Sequence, residues 1–152
     1  MGRTLVGVLW CISGIAQAIT VTPGGSSASL MASLTAPGTG LTVTGLSIDG
    51  HGAAGLASWG TYTNASGTYG IGPGIVISSG RVSVYGDGPN TSTTRTTDYG
   101  ATATAAQSAI LADISGAGDF YDVTQVNVTF DLDATTDSVY FDVTFGSEEF
   151  PE

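Results

Sequence analysis

Hydrophobic and polar positions alternate most strictly near the end of the chain. Val126, Val128, Phe130 and Leu132 are interleaved with Asn127, Thr129, Asp131 and Asp133. Val139, Phe141, Val143 and Phe145 are interleaved with Tyr140, Asp142 and Thr144. A period of two places one set of side chains on a dry face and the other in water, so each run predicts a half-buried strand. With residues 134–137 as a four-residue loop, the two runs form a hairpin in which Leu132 faces Val139. Phe130 then faces Phe141, Val128 faces Val143 and Val126 faces Phe145. Every inward residue meets an inward residue, as a consistent register requires. Burying such side chains contributes roughly 1.5–3 kcal/mol each before chain entropy is counted. A lone hairpin is marginal, so its apolar face calls for a second layer.

The same reading extends upstream. The turn-forming residues Thr22, Pro23, Gly24 and Gly25 precede Ser26 and Ser27, which suit a helix cap, and Leu30, Met31 and Leu34 form a short apolar stripe. This predicts a helix over 27–35. Leu41, Val43, Leu46 and Ile48 predict a strand in which the alternation slips at Gly45, the mark of a bulge. Residues 49–74 are rich in Gly and small polar side chains, interrupted by Trp59, Tyr62 and Tyr69. Ile75, Val76 and Ile77 predict a short buried strand, 91–100 a polar loop, and 101–115 a helix with Ile110 and Ile114 on one face. The fold class expected is mainly β, an antiparallel β-sandwich (jelly-roll-like) with one or two short helices.

The N-terminus belongs to a different category. Arg3 precedes a mainly apolar run over 4–15, and Ala16-Gln17-Ala18 offers a small-x-small cleavage site. Residues 1–18 therefore read as a secretory signal peptide, with a mature start at Ile19 and one domain over 19–152. The run is too short to span a bilayer, which needs about 20 apolar residues. Cleavage removes Cys11, the single cysteine, so stability must come from an ordinary core or from bound metal.

Charge sharpens the picture. The chain has 13 acidic residues against 3 basic ones, a formal net charge of −10, and no lysine. Ten of the acids lie at or beyond Asp113. Such a surface repels phosphate, which argues against nucleic acid and anionic membrane as partners and favours divalent cations. Hard cations take carboxylate and carbonyl oxygens. The first metal candidates are Glu148 and Glu149, beside Gly146 and Ser147, with Ca²⁺ as the cofactor they suggest. Asp131, Asp133 and Asp137 are a second candidate set, although they lack the glycine and terminal glutamate of an EF-hand loop. The competing reading for both groups is solvated acids, which on a strand also discourage edge-to-edge pairing.

Other chemistry is thinner. No Gly-x-Ser-x-Gly elbow accompanies His51, the single histidine, so it reads as a surface-loop residue, and no catalytic set is assigned. Glycoside hydrolysis would need two carboxyl groups at catalytic spacing, which nothing in the sequence fixes. Trp59 and Tyr62 are candidates for a sugar-binding platform, with completion of the core as the alternative. The expected role is adhesive or structural, with surface glycans or other surface proteins as partners. A carbohydrate-binding module is the runner-up.

Several segments together resemble the bacterial choice-of-anchor L domain. They are Ser29-Leu30-Met31-Ala32-Ser33-Leu34 leading into Leu41-Thr42-Val43, the stretch Gly72-Pro73-Gly74-Ile75-Val76-Ile77-Ser78-Ser79-Gly80, Gly88-Pro89-Asn90, and the run over 143–152. The most specific part is Phe145-Gly146-Ser147-Glu148-Glu149-Phe150-Pro151-Glu152. The resemblance implies an exported, β-rich surface domain with no established biochemical activity, found in proteins attached by differing C-terminal signals such as PEP-CTERM and type IX sorting tails. In that family the acidic motif is followed by further strands. Here the sequence stops at Glu152, so the expectation is a domain whose C-terminal strands are missing.

Overall fold

The computed structural model describes residues 19–35, 38–84, 97–116 and 118–145. The expected signal peptide over 1–18 and the metal candidates Glu148 and Glu149 lie outside the described residues. The described chain is mainly β, with five strands in two antiparallel sheets and two short helices, a sandwich-like arrangement. In chain order these are β1 (Thr20–Pro23), α1 (Ser27–Leu34), β2 (Leu41–Asp49), β3 (Trp59–Thr63), β4 (Gly74–Ile77), α2 (Ala105–Ser115) and β5 (Gln125–Leu132). One sheet runs β1-β3-β4 and the other pairs β2 with β5.

The helix α1 follows its sequence closely. The Ser26 hydroxyl accepts the Ser29 N–H at 3.2 Å, which satisfies one of the donors left free at a helix start. Thr35 has left helical geometry, with φ −114° and ψ 129°. Leu30 is the core anchor at 2% exposure. The helix touches both sheets and so helps to join the two layers.

β2 forms where its alternation predicts, and the register with β5 shifts between Val43 and Gly45, the expected bulge. β5 also forms as expected, but its partner differs. It pairs with β2, Leu41 opposite Leu132 and Ile48 opposite Val126. Residues 139–145 carry no regular secondary structure and do not form the second strand of the expected hairpin. Val139, Tyr140 and Phe141 instead approach Leu34, Val43, Val128 and Phe130, on the apolar side of the ladder.

β1 and β3 were not legible as strands. A turn is expected at 22–25, yet β1 continues through Pro23 before the chain bends at Gly24 and Gly25, with φ 74° and 126°. Proline is tolerated there because β1 is an edge strand. In β3, Gly60 interrupts the apolar pattern for a steric reason. A Cβ at that position would stand 2.3 Å from the carbonyl oxygen of Thr22, so only glycine lets β1 lie against β3.

α2 starts at Ala105, later than the expected 101, because Thr104 closes it with a capping box. The Thr104 hydroxyl accepts the Gln107 N–H at 3.2 Å, and the Gln107 side chain accepts the Thr104 N–H at 2.9 Å. Its inward residue is Gln107, and the expected Ile110 and Ile114 face is open, at 54% and 80% exposure. Residues 101–103 are held instead by an antiparallel contact with 120–122, through Thr102 opposite Tyr121.

Candidate functional site

The most tightly connected group of side chains lies where strands end, around Ser58. Residues 57–59 collect main-chain bonds from four directions. The Trp59 carbonyl accepts from Gly24 at 2.7 Å, Ser58 from Ser78 at 2.9 Å and Ala57 from Val82 at 3.1 Å, while Ser58 N–H donates to the His51 carbonyl at 2.9 Å. Ala57, Ser58 and Val82 are fully buried. The strand end at Gly50 passes so close that a Cβ there would stand 2.8 Å from the Trp59 ring and 2.9 Å from the Ser58 hydroxyl.

A buried hydroxyl needs partners, and Ser58 has them. Its oxygen accepts the main-chain N–H of His51 at 2.9 Å and lies 2.7 Å from the Thr124 hydroxyl, which is itself 2.7 Å from the Ser78 carbonyl. A carbonyl only accepts, so Thr124 donates to Ser78 and Ser58 donates to Thr124. The chain of protons ties the end of β4 to the start of β5. Among the described residues no buried side-chain polar atom lacks a partner.

Asp122 is the second anchor. It is 8% exposed and sits at φ 52°, a left-handed conformation that Asp adopts more readily than most residues. Its carboxylate accepts the Tyr99 N–H at 2.8 Å and the Ala101 N–H at 2.9 Å. The Ala101 N–H is the largest influence holding the Asp122 carboxyl below the usual carboxylate range. Burial opposes it, and Tyr99, Asp98 and the nearby His51 add to the lowering. The His51 ring is half-buried rather than loose on the surface. Its Nε2 donates to the Val123 carbonyl at 3.0 Å, and the ring stands 5.5 Å from that of Tyr99. Tyr99 in turn donates its hydroxyl to the Leu56 carbonyl. Gln107 completes the set by donating to Asp49 at 3.2 Å.

This chemistry holds the backbone. His51 meets Ser58 through its main-chain N–H, while its ring nitrogen is turned to Val123, which is not a base-and-nucleophile arrangement. Ser58, Thr124, Asp122 and Tyr99 carried no sequence signal as a group, because they are far apart in the chain. The Thr104-x-x-Gln107 spacing of a capping box is a signal that could have marked this region.

The residues singled out from sequence are placed as follows. Asp131 is exposed on β5, Asp133 lies just past its end, and Asp137 is exposed in the following loop. The Asp133 carboxylate accepts from Thr135 N–H at 2.9 Å and from the Thr135 and Thr136 hydroxyls at 2.8 Å each. The Thr135 hydroxyl leads the influences that hold this carboxyl below its ordinary range. Among the described residues no three His, Cys, Asp or Glu side chains gather as a metal-holding group, so these three aspartates are not brought together as one. Trp59 and Tyr62 are both half-buried on β3. Their separation of three sends them to opposite faces of a strand, so they do not form one platform. Trp59 lies against Gly50, and Tyr62 packs over its cross-strand partner Gly74. Burial, then the charge of Asp142, pushes the Tyr62 hydroxyl above its ordinary pKa.

A separate cleft of about 370 Å³ opens beside the start of β2, lined by Thr35, Thr39, Leu41, Thr42, Asp133 and the main chain of Gly38 and Gly40. Its walls offer hydroxyls and one carboxylate. No helix among the described residues is long and apolar enough to cross a membrane.

No curated protein and no solved structure matches the chain at a significant level. The model of one protein family does, the choice-of-anchor L domain, over residues 20–152. That span includes both sheets, both helices and the polar centre, and the chain belongs to the choice-of-anchor L domain family.

Proposed function

We propose that this chain is an exported, non-enzymatic surface domain with an adhesive or structural display role. The observation that carries the reading is the family match over 20–152, which marks a surface-associated protein. The signal-like segment over 1–18 supports export. The polar centre supports a structural rather than catalytic use of its side chains, since Ser58, Thr124, His51 and Asp122 are engaged with main chain or with one another. Ca²⁺ at Glu148 and Glu149 is a stabilising cofactor in this reading, drawn from their chemistry alone.

Two measurements test it. N-terminal sequencing of the exported product is expected to begin at Ile19, and an unprocessed product retained in the cytoplasm would sink the export reading. Beads coated with the exported protein are expected to cluster or to bind cells, more strongly in Ca²⁺ than in chelator. Absence of both, with no change in melting temperature on adding Ca²⁺, would remove the adhesive and calcium parts.

The second reading, carbohydrate binding, is favoured by the hydroxyl-lined cleft at Thr35, Thr39, Thr42 and Asp133 rather than by Trp59 and Tyr62. Glycan-array binding lost on Thr42→Tyr, which fills that cleft, would support it. Equal binding by the variant would move the sugar site elsewhere.

A further inference from the structure

The cleft beside the start of β2 contains a carboxylate that its own turn holds in place. Asp133 Oδ1 accepts the Thr135 N–H at 2.9 Å and the Thr135 and Thr136 hydroxyls at 2.8 Å each. All three bonds fall on one oxygen, which orients the carboxylate and leaves the lone pairs of Oδ2 for another donor. Oδ2 is turned to the cleft wall, because a Cβ on Gly40 would stand 2.8 Å from it. Gly40 sits at φ 70°, and its carbonyl accepts the Asp133 N–H at 2.9 Å. Loop and turn are thus locked together with the free oxygen between them.

The surrounding walls are polar and carry no positive charge. Thr35 and Thr42 offer hydroxyls, Leu41 an apolar side, and Gly38 main chain without a side chain over it. Among the described residues that line the cleft there is no basic side chain. Thr42 stands opposite Asp131 in the ladder, so a second carboxylate shares its face of the sheet. The volume of about 370 Å³ lies within the range of small-ligand sites.

The chemistry of such a place selects among sugars. A uronate, sulfate or phosphate group would meet a carboxylate on a chain of net charge −10 and be repelled. A neutral sugar gives Asp133 an ordinary hydroxyl donor. A protonated amine gives it a charge-assisted bond, roughly twice as strong as a neutral one. The threonine hydroxyls then match the hydroxyls of the same ring.

We propose that this cleft binds an amino sugar, its protonated amine on Asp133 Oδ2 and its ring hydroxyls on Thr35 and Thr42. The inference rests on the carbohydrate reading of the cleft and adds to it the ligand class and the residue that selects it. Asp133→Asn is the informative substitution. Its Oδ1 still accepts the three bonds of the turn, while the free oxygen becomes an N–H₂ that donates instead of accepting.

Calorimetric titration of the full chain compares a β-1,4-linked glucosamine tetramer, its fully N-acetylated counterpart and a lysine tetrapeptide blocked at its amino end. The glucosamine tetramer is expected to bind about tenfold or more tightly than the acetylated one. In Asp133→Asn the two sugars are expected to come within about twofold of each other, and Thr42→Tyr is expected to lose both. Asp113→Asn, an exposed acid on α2, is expected to keep the full preference. Equal binding of the two tetramers by the native chain would overturn the amine preference and leave the carbohydrate reading standing. Binding of neither would overturn the inference, and the glycan array would then judge the carbohydrate reading by itself. Equal binding of the lysine peptide, or a preference lost equally in Asp113→Asn, would overturn it by showing general attraction to an acidic surface.

Discussion

Around Ser58 the chain buries hydroxyls, a carboxylate and closely approaching backbone, while across β2 and β5 it lays alternating Val, Leu and Phe side chains over one face. In the first region the fully buried residues are as small as Ala57 and Ser58, and position is set by bonds such as Thr124 to Ser78. In the second, Val43, Val128 and Phe130 are half-buried and Leu132 is 38% exposed. A composition rich in small residues is therefore not a defect of the core. Glycines at 50 and 60 let strands approach closely, and fully partnered polar groups specify how they meet.

Substitutions rank the two modes. The largest loss is expected from Leu30→Ala, about 2–5 kcal/mol, because α1 touches both sheets through that residue's helix. Gly60→Val is expected to cost near or above ~3 kcal/mol, since the atom it meets is backbone and cannot step aside. Urea unfolding with an unchanged slope would measure both, and a loss below about 1 kcal/mol in either would break the account of how the layers are joined.

The polar centre comes next. Ser58→Ala leaves the His51 N–H without its acceptor and is expected to cost about 1–3 kcal/mol. A double-mutant cycle with Thr124→Val should show coupling of roughly 0.5–3 kcal/mol, and strict additivity would mean the hydroxyl pair is incidental. Asp122→Asn sharpens the contrast through pH. The folded carboxyl lies below its ordinary range, so its stabilisation is present above the unfolded value of about 3.9 and is lost as pH falls through the folded value. The stability gap between the native chain and the variant should be full at neutral pH and close in strong acid. A gap that does not change with pH would show that the charge on Asp122 is irrelevant. The smallest effect is expected at Ile114→Ser, within about 0.5 kcal/mol, because that side chain is 80% exposed.

The ladder was legible because its chemistry is local. Alternation in 41–48 and 126–132 needs no knowledge of the partner, and the slip at Gly45 appears in the sequence as it does in the register. What alternation cannot supply is the identity of the neighbour, which is why β5 was assigned to 139–145 and found against β2. β3 escaped because Gly60, fixed by the proximity of Thr22, removes the apolar signal at its second position. In α2, Ile110 and Ile114 suggested an inward stripe, whereas the buried residue is a glutamine bonded to Thr104 and Asp49. Trp59 and Tyr62 looked adjacent only until a strand was assigned to them, since its period separates their faces.

The pairing of β2 with β5 also sets an order of events. β2 is complete by Asp49, but the strand opposite it begins only at Gln125. As the chain is synthesised or threaded out N-terminus first, the apolar face of β2 has no sheet partner until nearly all of the described domain has followed. Closure over such a distance is slow compared with helix or hairpin formation. The hydroxyls and acid of Thr42, Thr44, Ser47 and Asp49 alternate with that face throughout the delay and keep half of every unpaired strand wet. The waiting time of the molecule is written into which strand it chose as a neighbour.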